Sequence, residues 1–237
     1  ATGDFGQSTR FRKPVAEVLA PRIGYTGTLM FWVMITMVPA ALIIGVLAGM
    51  REGSKTDRSL SVVAIASTAT PEYVSGILFT VLFASWLGVL KGVSKAGGID
   101  FNNFALPVMT MAIYGTGYIA RMTRASMAEV MTAQYIRTAR LKGLSFRAQV
   151  LRHALRNALI APFTVIMLQF PWLLTGVVIV EKLFNYKGFG WTLVEAADNN
   201  DIDLLLSCSL VSVVVVLLTQ LISDIGYAYL NPRIRVN

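Results

Sequence analysis

Long apolar stretches alternate with short polar ones along almost the whole chain. As a helix, the stretch 27–49 is long enough to cross roughly 30 Å of hydrocarbon, and the others have 17 residues or more. The five stretches are 27–49, 60–90, 104–120, 158–180 and 204–230. Because charged residues gather between these stretches rather than within them, the pattern predicts an all-α polytopic membrane protein whose transmembrane domain covers 27–230.

The two ends of the chain are polar and differ from the spans. Residues 1–26 are mixed in character, and residues 15–23 have the pattern of a short amphipathic helix that we expect at a membrane surface. Residues 231–237 form a short basic tail. Inside the spans, Pro39 and Pro71 predict a kink and an interruption. Gly45 and Gly49 have the small-residue spacing that allows close helix approach.

Composition and charge agree with this interpretation and orient the chain. Apolar residues make up 55% and charged residues only 14%, against roughly 25% charged in a soluble domain, and the mean hydropathy is +0.61. Thirteen of the 21 Lys and Arg residues fall on the face that carries 51–59, 121–157 and the tail. The positive-inside rule places that face in the cytoplasm and residues 1–26 outside. Topology and contact with anionic lipid thereby account for the net charge of +8, and no nucleic-acid partner is expected.

The predicted cytoplasmic segment 121–157 contains a rigid turn between two helices. Gly143 is placed to end the first helix with a positive backbone angle. Ser145 is placed to cap the second helix. Two short helices joined by a sharp turn form a projection on which a soluble motor protein can push.

Two motifs in this segment resemble a known family. The run Tyr-x-Arg-Thr-Ala-Arg-x-Lys-Gly stands at Tyr135 to Gly143, and His-Ala-x-Arg-Asn-Ala stands at His153 to Ala158. Both resemble the cytoplasmic coupling loop of ATP-binding-cassette importer permeases, in the form found in the dipeptide, oligopeptide and nickel family. The likeness extends over nearly the whole chain, in order, through these further matches: Gly3 to Gly6, Thr123 to Met127, Glu181 to Gly190, Asp224, Tyr227 and Pro232-Arg233.

The resemblance implies a type I importer permease fold in the bacterial or archaeal inner membrane. It implies five visible transmembrane helices and a first one missing upstream of Ala1. It also implies a related second permease subunit, two cytoplasmic ATPase subunits that carry ATP and Mg²⁺, and an extracytoplasmic solute-binding protein. The chain itself is then a transport subunit for peptides or similar small solutes, not an enzyme, and binds no cofactor directly.

The resemblance also assigns a role to the loop. Its residues would dock into a cleft on one ATPase and transmit closure of the ATPases to the spans. The residues assigned to this ATPase-coupling loop are Tyr135, Arg137, Thr138, Ala139, Arg140, Lys142, Gly143 and Leu144. Two positions depart from the family pattern, since Leu141 replaces a residue that is usually small and Asn231 replaces an acid.

Glu72 is the only charged residue of the second apolar stretch and the main candidate for a substrate contact. A carboxylate within a span faces a bundle interior or a wet cavity by default. One hypothesis is that Glu72 lines the substrate path and favours a cationic group, and the alternative is a neutral or paired structural residue. Tyr73, Gln169 and Trp172 are further candidates for the path, although their spacing also suits packing.

Other function classes find less support in the sequence. A secondary carrier or channel working without ATPase partners is the main alternative, but it would need inverted repeats or several intramembrane ionisable groups. An intramembrane enzyme lacks paired catalytic residues, and a purely scaffolding subunit remains open. No P-loop is present, and His153 is the only histidine, so neither ATP binding nor a metal site is expected. Gly115 to Ala120 matches a dinucleotide pattern, but inside an apolar span it favours helix packing.

Overall fold

The computed structural model describes residues 5–95, 97 and 100–230, and nearly all regular structure in this part of the chain is helical. Gly3, Asp4 and the tail 231–237 lie outside the described residues. A short antiparallel hairpin, β1 (Gln7–Ser8) and β2 (Lys13–Pro14), precedes the helices. The longer helices are α1 (Val15–Gly49), α2 (Lys55–Ala69), α3 (Glu72–Phe79), α4 (Phe101–Met131), α5 (Gln134–Leu141), α8 (Ile160–Leu183), α9 (Phe189–Asp198) and α10 (Ile202–Leu230).

Shorter elements fill two places between the longer helices. A first π-helix continues α3 over Thr80–Trp86. The segment after α5 consists of α6 (Phe146–Ala148), a second π-helix (Gln149–Ala154) and α7 (Leu155–Ala158). π-helical turns of this kind mark places where the helix widens by one residue.

Helices cover most of each predicted span, although α4, which contains the third span, is not among the membrane-crossing candidates of the described residues. Among the described residues, α1 and the Ile202–Gly226 part of α10 are each long and apolar enough to cross a membrane. Two pairs of helices raise the number of candidates to four if each pair is counted as one bent span. The first pair is Lys55–Ala69 with Glu72–Trp86, and the second is Phe146–Ala158 with Ile160–Leu174. The third predicted span lies within α4, whose 31 residues extend over about 46 Å.

The N-terminal boundary of the first span differs from the prediction. A single helix runs from Val15 to Gly49, so the separate short helix predicted for 15–23 is wrong. The helix continues through Pro21 and Pro39 without a break. Val15, Val18 and Leu19 are buried, and their apolar packing accounts for the continuous helix where polar neighbours suggested a separate surface element.

The second predicted span is divided in two at Pro71. Thr70 and Pro71 have extended backbone angles, with ψ values of 121° and 144°. Proline disfavours helical angles at the residue before it, so α2 ends at Ala69 and α3 begins at Glu72. The two helices are bent by more than 40° at this break. Glu72 therefore occupies the first turn of a helix rather than the interior of a continuous one.

The described chain forms two compact units, and four long helices contribute to both. The first unit is Ala1–Ile35, Pro71–Ala112 and Phe170–Thr219, and the second is Thr36–Thr70, Ile113–Gln169 and Gln220–Asn237. In the first unit, one apolar core joins the start of α1 to α9 and the start of α10. Its buried residues are Val15, Val18, Leu19, Phe189, Ala196, Leu204 and Cys208.

Asp201 ties the N-terminal segment to the α9–α10 turn in the first unit. Its carboxylate accepts hydrogen bonds from Ser8 Oγ (2.6 Å) and from the Arg10 amide (3.0 Å). Burial of Asp201 opposes ionisation, but these hydrogen bonds outweigh it and hold the pKa of Asp201 below its ordinary value. Arg10 adds an ion pair to Glu195 at 3.0 Å. The segment before α1 is therefore fixed by hydrogen bonds despite its polar composition.

In the second unit, α1 and α2 both approach α4 closely. A Cβ on Gly45 would lie 2.6 Å from the carbonyl oxygen of Ala120, which confirms the close approach predicted for this glycine. A Cβ on Gly117 would lie 2.6 Å from the carbonyl oxygen of Ala64. The dinucleotide-like pattern around Gly117 is thus a helix-packing pattern.

The close approach at Gly45 can be tested by adding one methyl group. We expect Gly45→Ala to lower the free energy of unfolding by about 1–3 kcal/mol, because two backbones must move apart. Gly27→Ala in the same helix is the matched control, since its Cβ would meet no atom within 4 Å. Thermal unfolding in detergent measures both variants. Equal midpoints for the two alanine variants would contradict the packing described here.

Candidate functional site

The predicted turn between two helices is present in the second unit. Helix α5 ends at Leu141, and Gly143 follows with φ of 78°, which confirms the predicted positive angle. Ser145 precedes α6, and its side chain accepts a hydrogen bond from the Ala148 amide (3.4 Å), which confirms the predicted cap. We call residues 134–158 the knob.

The knob has a buried base. Ile136 is 1% exposed and packs with Met127 of α4 and with Val150, Ala154 and Ala158. Ala139 is also buried, at 5% exposure. This apolar contact attaches α5 directly to α4, so the two helices are expected to move together.

The outer face of the knob is exposed, and it carries most of the residues assigned to the loop. Leu141 is 81% exposed and Leu144 36% exposed. The exposed members of the assigned set are Tyr135, Arg137, Thr138, Arg140, Lys142, Gly143 and Leu144. Ala139 alone of the eight belongs to the base, so a bulky replacement there would disturb the attachment of α5 rather than a surface contact.

Three polar or aromatic contacts brace the knob. Gln149 Nε2 donates a hydrogen bond to the carbonyl oxygen of Leu144 at 2.7 Å, which holds the end of the turn. Asn157 Nδ2 donates to the hydroxyl of Tyr135 at 3.0 Å and so joins the two family motifs. The guanidinium of Arg51 lies 4.9 Å from the ring centre of Phe146. These contacts make the knob a fixed shape rather than a loose loop.

An ion pair that the sequence did not reveal joins α2 to α4 in the same unit. Arg124 Nε and Nη2 donate to the two carboxylate oxygens of Asp57 at 3.0 and 2.7 Å. The hydrogen bond from Arg124 is the largest cause that holds the pKa of Asp57 well below its ordinary value, although burial opposes it. Glu52 lies 3.3 Å from the same guanidinium.

Asp57 also organises the start of α2. Its amide donates to Ser54 Oγ at 3.1 Å, and its carboxylate accepts from the Gly53 amide at 2.8 Å. The first bond is that of a capping box, whereas the carboxylate accepts from Gly53, the residue before the N-cap, and not from the N-cap amide itself. The spacing Ser54-x-x-Asp57 in the sequence was the available signal for this helix start.

The four substrate-path candidates divide between the two units. Glu72 and Tyr73 begin α3 in the first unit, and Trp172 lies in the part of α8 that belongs to the same unit. One carboxylate oxygen of Glu72 is buried and has no hydrogen-bond partner among the described residues. Gln169 belongs to the second unit, where its side chain is buried and donates to Val165 of its own helix at 3.3 Å. A path shared by these four residues stays a prediction.

A buried carboxylate organises the family-like stretch Glu181 to Gly190 in the first unit. Glu181 is fully buried, and its carboxylate accepts hydrogen bonds from Thr26 Oγ1 and from the Trp191 amide. Thr26 Oγ1 in turn accepts from the Phe189 amide at 2.7 Å. Glu181 and Thr26 thus satisfy amides in the first turn of α9, which otherwise lack partners. A Cβ on Gly188 would collide with Glu181 Oε1, so this network requires a glycine there.

Comparison with known proteins places the chain among transporter subunits. Residues 41–236 match the family described as binding-protein-dependent transport system inner membrane component. The chain is 36% identical over 237 residues to the glutathione transport system permease protein of Escherichia coli, covering 98% of the chain and 75% of that protein. The corresponding protein of Salmonella choleraesuis is 36% identical over 233 residues, with the same coverage.

Two solved structures share the fold. An amino acid ABC transporter determined with histidines superposes with a TM-score of 0.66 at 14% identity, covering 90% of this chain and 94% of that one. An inward-facing methionine ABC transporter superposes with a TM-score of 0.69 at 15% identity, covering 89% and 93%. At these identities the likeness shows a common fold.

The ion pair between Asp57 and Arg124 gives a stability prediction with a defined pH dependence. We expect Asp57→Asn to lower the free energy of unfolding at neutral pH by about 2 kcal/mol, less than for a fully buried pair because the Arg124 side chain is 30% exposed. The pKa of Asp57 is lowered by folding, so its stabilisation is complete above the ordinary pKa of 3.8 and is lost as the pH falls below that value. The difference between the wild type and the variant should therefore shrink in acid.

Thermal unfolding at pH 7 and at stepwise lower pH measures this difference. Glu52→Gln is the control, because Glu52 touches the same arginine but its side chain is 58% exposed. A Glu52→Gln variant as unstable as Asp57→Asn would show that the bidentate contact is not the stabilising one.

Proposed function

Because the chain belongs to the family of binding-protein-dependent transport system inner membrane components, we propose that its knob couples the membrane helices to partner ATPases. The chain is the translocation subunit of an ATP-driven importer, located in the inner membrane. The family assignment favours this function over an ion-coupled carrier or a channel.

The single observation that carries the coupling role is that the knob has an exposed tip, residues 140–144, on a buried base. Leu141 and Leu144 present apolar surface at the tip, and Arg137, Arg140 and Lys142 surround it with positive charge. A partner cleft with an apolar floor and an acidic rim fits this surface. ATP-driven closure of that partner would displace the knob, and Ile136 would carry the displacement to α4 through Met127.

We further propose the assembly that the resemblance implies. It contains this chain, a related second permease subunit, two cytoplasmic ATPase subunits that bind ATP and Mg²⁺, and an extracytoplasmic solute-binding protein. The extracytoplasmic segment 1–26, the transmembrane domain 27–230 and the tail 231–237 keep their predicted positions in this proposal. Co-purification followed by mass spectrometry identifies the subunits directly.

The proposed solutes are small peptides and similar molecules. The relatives in Escherichia coli and Salmonella choleraesuis are named as parts of glutathione transport systems, and glutathione is a tripeptide. The buried carboxylate oxygen of Glu72 without a described partner supports a contact with an ammonium group. Glu72, Tyr73, Gln169 and Trp172 remain the residues that we propose as solute contacts.

Gly143→Ala tests the knob as the coupling element. The added Cβ strains a backbone with φ of 78° and should distort the tip. Solute-loaded binding protein stimulates ATP hydrolysis by the reconstituted importer, and we expect this stimulation to fall at least fivefold. Basal hydrolysis and membrane insertion should persist. Transport assays in proteoliposomes should show the same loss.

Gly53→Ala is the matched control for this substitution. Gly53 has φ of 77°, lies in another turn of the same unit, and like Gly143 has open space around its Cβ position. The two variants therefore carry the same backbone strain. Equal loss of stimulation in both would attribute the effect to stability and would count against docking at the knob.

Glu72→Gln tests the proposed substrate contact. Removal of the negative charge should reduce uptake of peptides with a free amino group by about tenfold, and should affect the N-acetylated peptides much less. Glu17→Gln, which removes an exposed glutamate in the same unit, is the control. Normal uptake of both peptide classes by Glu72→Gln would contradict the proposed contact between Glu72 and the solute.

A further inference from the structure

A cationic cleft lies in the first unit, and neither Glu72 nor any residue of the knob is part of its lining. Its volume is about 540 Å³. The lining includes Arg22, Lys95 and Lys187 with the polar side chains of Tyr25, Ser94 and Asn185, and no carboxylate contributes to it among the described residues. The positive-inside rule places these residues on the extracytoplasmic face, where positive charge is disfavoured, so a cluster there calls for an explanation.

The three segments that carry these cations are held together by separate contacts. The guanidinium of Arg22 donates a hydrogen bond to the carbonyl oxygen of Lys187. Arg22 and Lys187 both lie over the ring of Trp191, at 5.5 and 5.6 Å from its centre. The buried Ser94, next to Lys95, donates from its amide to the carbonyl oxygen of Phe184 at 2.8 Å. The three segments that line the cleft are therefore fixed to one another.

The cations of the cleft form no ion pair within the described part of the chain, although Arg22 is close enough to the buried Glu181 to interact with its carboxylate electrostatically. Lys182 also lies over the Trp191 ring, at 5.3 Å, but it pairs with Glu195 and Asp198 at 3.7 Å each. None of the described ion pairs includes Arg22, Lys95 or Lys187. Arg22 and Lys187, which lie over one ring, repel each other, and an anion bound beside them would offset this repulsion.

We propose that this cleft binds an oxyanion, either the phosphate of an anionic phospholipid headgroup or the carboxylate of a free solute. Arginine supplies a planar fork of donors for such a group, and the lysines supply point charges. Val93, which is 57% exposed, adds apolar surface at the lining, and an acyl chain could lie along it. This site goes beyond the coupling function and does not depend on the knob.

The test compares a variant that lacks two cations of the cleft with a control variant that lacks two cations elsewhere. The net charge changes by the same amount in both. The variant is Lys95→Gln with Lys187→Gln, which leaves the Arg22 hydrogen bond in place. The control is Lys13→Gln with Lys91→Gln, two exposed lysines of the same unit that do not line the cleft. Both are examined in the complete importer, with the midpoint of thermal unfolding as a check on folding.

Two probes distinguish the sources of the anion. Native mass spectrometry counts the phosphatidylglycerol retained from mixed micelles, and calorimetry in phosphatidylcholine nanodiscs compares dialanine with dialanine amide. We expect the wild type to bind one of the two probes. Binding of phosphatidylglycerol identifies the anion as a lipid headgroup, whereas binding of dialanine but not of dialanine amide identifies it as the carboxylate of a solute. Binding should fall at least fivefold in the Lys95/Lys187 variant and stay within twofold in the control.

The proposal is overturned if the wild type binds neither anion, if the Lys95/Lys187 variant binds as the wild type does, or if the control loses as much. Loss of binding-protein association in the Lys95/Lys187 variant, without anion binding by the wild type, would also overturn it in favour of a protein contact. A Gly143→Ala variant that fails to uncouple ATP hydrolysis would leave these binding results unaffected.

Discussion

Arg124 holds Asp57 through two hydrogen bonds, and the part of α4 around this residue contacts the other elements of the second unit in close succession. Gly117 packs against α2, and Ala120 packs against Gly45 of α1. One turn beyond Arg124, Met127 packs against Ile136 in the base of the knob. This half of α4 is the element to which the neighbouring helices are attached, and the proposed coupling depends on its rigidity.

This arrangement explains how a small projection can act on long helices. Side chains packed at native density transmit displacement because they cannot compress. Ser126 Oγ donates to the carbonyl oxygen of Ala158 at 2.9 Å, so α4 also contacts the end of the knob at α7. In the proposed coupling, a force on the exposed tip would reach α4 at both ends of the knob, through Met127 and through Ser126.

The first unit uses a different device, which is the satisfaction of polar groups at helix ends. Glu181 and Thr26 accept hydrogen bonds from amides at the start of α9, and Asp201 accepts hydrogen bonds from the N-terminal segment. A buried carboxylate is costly unless its oxygens accept hydrogen bonds, and these two are fully used in that way. Glu72, whose buried oxygen has no described partner, differs from both, and for this reason it is the stronger candidate for a solute contact.

The sequence by itself determined which stretches form long apolar helices and how the turn of the knob is built. These features are local: a span needs only a long apolar run, and Gly143 and Ser145 act on their immediate neighbours. Only the tertiary structure decided that Ala139 belongs to the buried base, that α1 continues through residues 15–23 without a break, and that Arg124 binds Asp57. Arg124 and Asp57 are 67 residues apart, and Thr26 and Glu181 are 155 apart. No periodicity or spacing relates such residues, because their contact depends on which helix faces pack together.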